Sequence, residues 1–193
     1  MIALQQADYE EARRLCRQCL EIFERLGDQH GLAAVLYNLG GIAQEQGDYA
    51  EARRLYEQCL KIEKWLGDQR GQAKTLHNLE AIAQEQRDYE EARRLYGQSL
   101  ALYEQLGDQH GRAATLHQLG NIAYLLGGYP EARRLYEQCL EIFEQLGDQS
   151  GRATTLGQLG ALAYEEEDFE HALTYTAQAY VLFDSLQSPS RDC

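Results

Sequence analysis

The sequence has few of the residues that interrupt helices or favour strands. Its two prolines lie outside the expected helix interiors, where proline would break the backbone hydrogen bonding. Aliphatic β-branched residues are sparse, whereas Leu, Ala, Glu, Gln and Arg, which are strong helix formers, are the commonest residues. A sheet would lack its usual side chains, so we expect an all-α fold.

Long apolar runs and targeting signals are also missing. No apolar stretch approaches the roughly 20 residues that a membrane-spanning helix needs. The first residues, 1–6, lack the basic and apolar segments of a signal peptide. The five cysteines are odd in number and lie mostly within helical segments, which is typical of a reducing compartment. We therefore expect a cytoplasmic protein that does not act at a membrane.

Positive charge is scarce. The chain has 18 Lys and Arg residues against 31 Asp and Glu residues, which gives a formal net charge of −13. A polyanionic phosphate backbone would be repelled over most of such a surface, so nucleic acid is excluded as a partner. A basic or neutral partner is easier to accommodate. The same charge also keeps a helical protein dispersed in solution.

Catalytic signatures are absent as well. The sequence has no nucleophile elbow, no glycine loop that would cradle a phosphate and no zinc-protease histidine pair. Its carboxylates recur as surface features and do not form one distinctive pair. We expect no catalytic residues, no cofactor and no enzymatic activity.

What the sequence does contain is an internal repeat of 40 residues. A Gly-Asp-Gln triplet begins at Gly27, Gly67, Gly107 and Gly147. A second segment, 48–56, returns nearly unchanged at 88–96 and at 128–136, more loosely at 168–176, and has an earlier copy at 8–16. The period predicts a chain of similar structural units.

Each unit is predicted to be a pair of helices. Asp68 can cap the first helix, and Asp88 with Glu91 has the spacing of a capping box at the start of the second. Gly107 is expected to end the second helix. Apolar residues follow at helical spacing in the first helix (Leu76, Leu79, Ile82, Ala83) and in the second (Tyr89, Ala92, Leu95, Tyr96, Leu100, Leu106).

The helices of a unit must be antiparallel because the turn between them is short. One such hairpin cannot cover its own apolar face, and stacking of the next unit does so. We therefore predict a single array over 1–186 and a polar tail over 187–193. The array comprises a partial hairpin at 1–26 and complete hairpins at 28–66, 68–106, 108–146 and 148–186.

The residue pattern of these hairpins resembles the tetratricopeptide repeat. The matching frames are Leu36-x-x-Leu39-Gly40-x-x-Ala43 followed by Ala52-x-x-x-Tyr56, and the equivalent positions in 116–123 and 132–136. The usual period of that family is about 34 residues. The 40-residue form is similar to repeats of spindle-orientation adaptors, kinesin light chains and large bacterial signalling proteins. The resemblance implies a right-handed superhelical solenoid that acts as a non-catalytic protein-interaction scaffold.

The second copy departs from this pattern. Glu80 replaces the glycine found at Gly40 and Gly120, and Arg87 replaces the loop glycine at Gly47. We expect slightly wider packing there, with Glu80 reaching solvent or a cation.

In resembling repeats the first helices line a concave groove that binds a peptide. Amides on such a face can donate to and accept from a peptide backbone, and aromatic rings add contact area. In the alternative interpretation, the amides tie neighbouring helices together. The candidate groove residues are Tyr37, Asn38, Gln44, Lys74, His77, Asn78, Gln84, His117, Gln118, Asn121, Tyr124, Gln158 and Tyr164.

Other ligand types fit less well. The residues with which chaperone-binding repeats clamp a terminal carboxylate are absent, and on this face only Lys74 adds positive charge. His77 and His117 share a repeat position, but a convincing metal site needs three or four ligands, so we predict no metal.

The cysteines and arginine pairs are open to structural explanations. Cys16 and Cys19 form a Cys-x-x-Cys motif, which can indicate a redox site. However, Cys19, Cys59 and Cys139 share one repeat position, which indicates a small buried packing site. The Arg-Arg pairs that recur on the second helices, such as Arg53/Arg54, are expected to pair with nearby Glu residues on a solvated outer face.

Two functions remain open. The first is a scaffold that binds a peptide or protein segment in the concave groove. The alternative is a self-associating module that forms dimers or head-to-tail assemblies through uncapped ends, where Tyr180 and Phe183 lie on the last helix.

Overall fold

The computed structural model describes residues 2–187, and the side chains of residues 9–187. Within this range the chain forms nine α-helices and no strand: α1 (Ile2–Leu26), α2 (Gln29–Glu45), α3 (Tyr49–Leu66), α4 (Gln69–Glu85), α5 (Tyr89–Leu106), α6 (Gln109–Leu125), α7 (Tyr129–Leu146), α8 (Gln149–Glu165) and α9 (Phe169–Gln187). None of the described helices combines the length and apolar character that a bilayer span requires.

The helices belong to two compact units, 1–95 and 96–193. In the first unit α2 packs against α3. In the second unit α6 packs against α7, and α8 packs against α9. Helix α5 contributes residues to both units. Most of the predicted tail, 188–193, lies outside the described residues, and Gln187 is the last residue of α9.

Aspartates begin both kinds of helix, as the spacing predicts. Asp68 Oδ1 accepts a hydrogen bond from Gly71 N at 3.0 Å at the start of α4, and Asp28, Asp108 and Asp148 repeat this contact. Asp48 caps α3 by accepting from Glu51 N at 3.1 Å. The Glu51 carboxylate does not complete a capping box, because it binds Arg54 of the next helical turn at 2.7 Å.

The turn inside each hairpin requires a left-handed residue. Gly47 and Gly127 adopt φ values of 76° and 75°, and at the equivalent positions Arg87 and Glu167 adopt 55° and 61°. A side chain in this conformation costs roughly 1–2 kcal/mol. The second copy thus forms the same turn with Arg87 in place of glycine. The remaining contacts of the hairpin must offset the cost of this strained backbone.

Close helix contacts depend on small residues that face tyrosine rings. A Cβ at Gly40 would lie 2.8 Å from Tyr56 Cε1, and one at Gly120 would lie 2.6 Å from Tyr136 Cε1. Both rings are at most 2% exposed, so any larger residue would have to displace buried packing. Glu80 at the equivalent position is 6% exposed, so of the two expected surroundings, solvent or a cation, solvent is wrong and a cation stays a prediction.

The predicted apolar stripe of α4 is buried, with Leu76, Leu79, Ile82 and Ala83 at most 2% exposed. Leu106, predicted to be buried on α5, is 42% exposed, because it is the last residue of its helix.

The first helix differs from the prediction. Residues 2–26 form a single continuous helix, where the sequence indicated a turn between two helices of a partial hairpin. Ala7 occupies the position at which Gly47 and Gly127 turn the chain. Alanine is the strongest helix former, so the helix continues. Cys19, expected to be buried like its repeat equivalents, is exposed on α1.

Candidate functional site

In the first unit, the candidate residues of α2 and α4 fall into two groups. The Tyr37 ring lies edge-on to Tyr56, with 5.6 Å between ring centroids. The Tyr56 hydroxyl donates to Gln44 Oε1 at 3.1 Å, and burial raises the pKa of Tyr56 to about 12, which keeps the hydroxyl a donor. Gln44 therefore ties the two helices of its hairpin together, as the structural alternative proposes.

The other candidates of this unit face outward. Asn38, Lys74, His77 and Gln84 are exposed, and Asn78 is half-buried. Among the residues that the structure describes, the side-chain amides of Asn38 and Asn78 make no hydrogen bond to the protein. These two amides remain available to a ligand.

A pocket of about 240 Å³ lies between α2, α3 and the start of α4. It brings together three of the predicted residues, Tyr37, Asn38 and Lys74. It also includes Glu63 of α3, which the sequence analysis did not single out. The signal for Glu63 was present in the repeat, because the other copies have an aromatic residue at its position: Phe23, Tyr103, Phe143 and Phe183.

In the second unit, the structure joins His117, Gln118 and Asn121 in one network. Asn121 Nδ2 lies 3.4 Å from His117 Nδ1 and donates to Gln118 Oε1 at 3.3 Å. The Tyr136 hydroxyl donates to Asn121 Oδ1 at 2.8 Å. The centroids of the Tyr136 and His117 rings lie 5.8 Å apart. Burial lowers the pKa of His117, and its Nε2 atom has no partner within the described chain. Tyr136 is a member of this network that the sequence analysis included only as part of the repeat pattern at 132–136.

The remaining candidates of the second unit lie on α6 and α8. Tyr124 packs against Tyr129 with 5.7 Å between ring centroids, and burial raises the pKa of Tyr124, with Glu165 adding to the effect. Tyr164 is exposed and packs against Phe169 at 5.7 Å. Gln158 is half-buried, and its amide makes no hydrogen bond within the described part of the chain.

The structure also bears on metals and thiols. Among the described residues, no group of three or more His, Cys, Asp or Glu side chains is arranged to hold a metal ion. Cys59 and Cys139 are fully buried, and burial raises their pKa values to about 12 and about 11. The packing role predicted for these two is confirmed. Burial also raises the pKa of Cys16, whereas a reactive thiol needs a lowered value.

The arginine pairs have two different roles. Arg54 and its equivalents, Arg14 and Arg94, form exposed ion pairs with a glutamate three residues earlier, as predicted. Arg53 of α3 instead reaches the turn before α5, where it binds Gln86 Oε1 at 2.8 Å and lies 3.5 Å from Asp88. Arg133 of α7 makes the equivalent contact with Glu166. One arginine of each of these two pairs therefore links successive hairpins.

Comparison with known families agrees with the helical-hairpin architecture of the chain. The sequence profile of the tetratricopeptide repeat matches residues 1–64, 33–105, 71–145 and 111–184. The chain belongs to the tetratricopeptide repeat family. The predicted fold class, an all-α arrangement of tetratricopeptide hairpins, is confirmed. Repeats of this family are generally non-catalytic protein-interaction scaffolds.

Solved tetratricopeptide structures share the fold at low sequence identity. BtubC (BKLC) of P. vanneervenii is 22% identical over 98% of this chain and 79% of its own, with a TM-score of 0.77. Nearly identical repeats of a kinesin-light-chain-like protein of Podosopora anserina are 22% identical over 96% of this chain and 92% of that one, with a TM-score of 0.73.

A Rap protein complexed with competence and sporulation factor is 18% identical over 95% of this chain, with a TM-score of 0.61. The chain spans 52% of the length of that Rap protein. No curated protein matches this chain significantly in sequence.

Proposed function

We propose that this chain is a non-catalytic scaffold that binds a peptide or protein segment in a groove formed by its first helices. The observation that carries the proposal is the contrast among the amides. Gln44 and Asn121 are bound to tyrosines of the second helices, whereas Asn38, Asn78 and Gln158 have no partner within the described residues. These three share one repeat position. Free amides can donate to and accept from an extended backbone.

Two further observations support this function. The family generally serves protein interaction, and a Rap protein of the same fold has been solved in complex with competence and sporulation factor. The formal net charge of −13 favours a basic or neutral partner over nucleic acid or an anionic membrane surface. We infer that the partner is a cytoplasmic protein.

The test is selection from a displayed library of random peptides on the intact chain. The selected peptides are then measured against the variant Asn38→Ala/Asn78→Ala/Gln158→Ala. Loss of the free amides should weaken binding about tenfold or more. The matched control is Gln58→Ala/Gln138→Ala, which removes exposed amides from second helices and should leave binding unchanged. Equal binding by both variants would show that the peptides use another surface.

Self-association is the second candidate function. It is favoured by apolar side chains that α9 exposes, among them Tyr180 at 70% and Val181 at 64%. The proposed partner is a second copy of this chain. Light scattering over a wide concentration range should show a mass above the 22.0 kDa of one chain. The variant Tyr180→Glu/Phe183→Glu should have the mass of one chain. A constant monomer mass would exclude this function.

A further inference from the structure

One position of the repeat places a side chain directly over a glycine of the following first helix. In three copies this side chain is an aromatic ring, and in one copy it is the carboxyl of Glu63. The ring atom lies 2.4–2.6 Å from where a glycine Cβ would be in the pairs Phe23/Gly31, Tyr103/Gly111 and Phe143/Gly151, and Glu63 Oε1 lies 2.6 Å from that point at Gly71. Glu63 therefore substitutes an acid for an apolar ring at one junction.

The Glu63 carboxyl is incompletely paired. The residue is 6% exposed, and its Oε1 accepts a hydrogen bond from the Thr75 hydroxyl at 3.1 Å. Its Oε2 is buried and has no partner among the described residues. A buried carboxylate oxygen without a donor is costly, so a donor supplied by another molecule would relieve that cost.

This carboxyl lines the pocket of about 240 Å³ described above. Tyr37 and Asn38 of α2 form one side of the pocket, and Asp68 and Lys74 lie at the start of α4. Because Asn38, Asp68 and Lys74 are exposed, the pocket is open to a side chain that enters from solvent.

We propose that this pocket binds a basic side chain of the protein partner, an arginine or a lysine, with Glu63 as its counter-ion. The inference rests on the proposed scaffold function and names the chemistry of its ligand. A guanidinium has five donors and matches a carboxylate, Asp68 adds a second acid, and the Tyr37 ring can stack on the cation. The overall charge of −13 attracts such a partner.

Lys74 provides the discriminating variant. Its ammonium lies near enough to stabilise the charged form of Glu63, which lowers the pKa of that carboxyl. It does not form a hydrogen bond with Oε2. An incoming cation competes with Lys74, so Lys74→Ala should strengthen its binding. An anionic ligand would use Lys74 as its anchor, and the same variant would then weaken binding.

The experiment is an NMR titration of the intact labelled chain with Nα-acetyl-arginine N-methylamide. The neutral isostere, the corresponding citrulline derivative, is the control probe. Saturable shifts of the Gly71 and Thr75 amide resonances are expected with the arginine probe, and binding about tenfold weaker or undetectable with citrulline. Equal binding of the two probes, or no binding of the arginine probe, would overturn the proposal.

Two variants of Glu63 complete the test. Glu63→Gln removes the charge with little change of shape, and Glu63→Phe restores a ring that other copies accommodate over the same glycine. Both should abolish the arginine response. Glu57→Gln, at an exposed position of the same helix, should retain it. Retention of binding in Glu63→Gln would exclude Glu63 as the counter-ion.

The outcomes also separate this inference from the scaffold function. If library peptides bind through the free amides but show no preference for arginine over citrulline, the pocket proposal fails and the scaffold function stands. If the arginine probe binds at Glu63 while no library peptide depends on the amides, the pocket proposal stands and the amides of the first helices are excluded as the peptide site.

Discussion

The junction at Gly71 in the first unit and the junction at Gly151 in the second are built from almost the same residues. In each, a buried cysteine of the second helix donates to a first-helix carbonyl at 3.2 Å, from Cys59 and from Cys139 respectively. At Gly151 the Thr155 hydroxyl donates to the Gly151 carbonyl at 2.9 Å.

At Gly71 the equivalent hydroxyl, of Thr75, turns to Glu63 Oε1 instead. Replacement of the Phe143 ring by the Glu63 carboxyl therefore redirects a neighbouring hydrogen bond and leaves one buried oxygen unpaired. A near-identical repeat thus acquires one distinctive site through a single position, while its backbone stays that of its neighbours.

The strongest way to break this comparison is to exchange the two side chains. Phe143→Glu should destabilise the chain by about 3 kcal/mol, because it removes a buried ring and leaves a carboxyl among apolar neighbours. Glu63→Phe should be neutral or stabilising by about 1 kcal/mol, since apolar replacement removes an unpaired buried acid. Urea unfolding measures both, and similar losses in the two variants would contradict the comparison.

Alanine at the two glycines gives the next largest effect. A Cβ at Gly151 would meet the Phe143 ring at 2.6 Å, and the ring cannot move without repacking. Gly151→Ala should therefore cost about 2 kcal/mol. A Cβ at Gly71 would meet the ends of two side chains, Glu63 Oε1 at 2.6 Å and Asp68 Oδ2 at 2.7 Å, and neither is a ring. The better helix propensity of alanine offsets these contacts, so the cost of Gly71→Ala should stay below about 1 kcal/mol. Thermal and urea unfolding of Gly151→Ala and Gly71→Ala would measure both costs. Equal costs would show that the Phe143 ring gives way to the added methyl group.

A smaller effect concerns pH. Burial raises the pKa of the Glu63 carboxyl above its ordinary value of 4.5, Asp68 adds to the rise, and Thr75, Cys59 and Lys74 oppose it. The folded chain thus holds this proton more tightly than the unfolded chain does. The stabilisation that comes from this tighter proton binding is fully present below the pKa of Glu63 in the unfolded chain. It is lost as pH rises through the pKa of Glu63 in the folded chain.

The measurement is the free energy of unfolding of the unmodified chain minus that of Glu63→Gln, followed upward from acid pH. This difference should fall as pH rises. Phe143→Gln provides the control at the other junction, because it adds no titrating group. A difference that stayed flat with pH for Glu63→Gln would contradict the prediction.

The smallest effect is expected at the turns. Arg87 in the first unit and Glu167 in the second adopt left-handed φ values at positions where Gly47 and Gly127 fit without strain. Arg87→Gly and Glu167→Gly should each stabilise the chain by about 0.5–1 kcal/mol, although glycine also gains freedom in the unfolded state. Differential scanning calorimetry would detect the rise. Destabilisation in either variant would show that the replaced side chain contributes more than its strain costs.

The sequence predicted the features that local chemistry controls. Aspartate caps, left-handed glycines and the apolar stripe of α4 depend on residues a few positions apart, and their 40-residue recurrence reinforced each prediction. The continuous α1 was missed because a substitution at Ala7 decides between a turn and a helix only through the packing around it.

The candidate site was less predictable. All the amides of the first helices have the same chemistry in the sequence, and only side-chain geometry separates Gln44, bound to Tyr56, from the unpaired Asn38. Glu63 departs from the aromatic residue of the other copies, and this departure was overlooked because its consequence depends on the contact with Gly71, eight positions away on another helix. Departures within an otherwise regular repeat are the sequence signal for such sites.

The bridges made by Arg53 and Arg133 affect how the chain unfolds more than how stable it is. Each joins the second helix of one hairpin to the turn of the following hairpin, so its free energy belongs to the coupling between neighbours. Salt screens such partly exposed charges but leaves the contacts between tyrosine rings and glycines within each hairpin intact. Ionic strength therefore acts on cooperativity: at high salt the unfolding transition should broaden while its midpoint changes little.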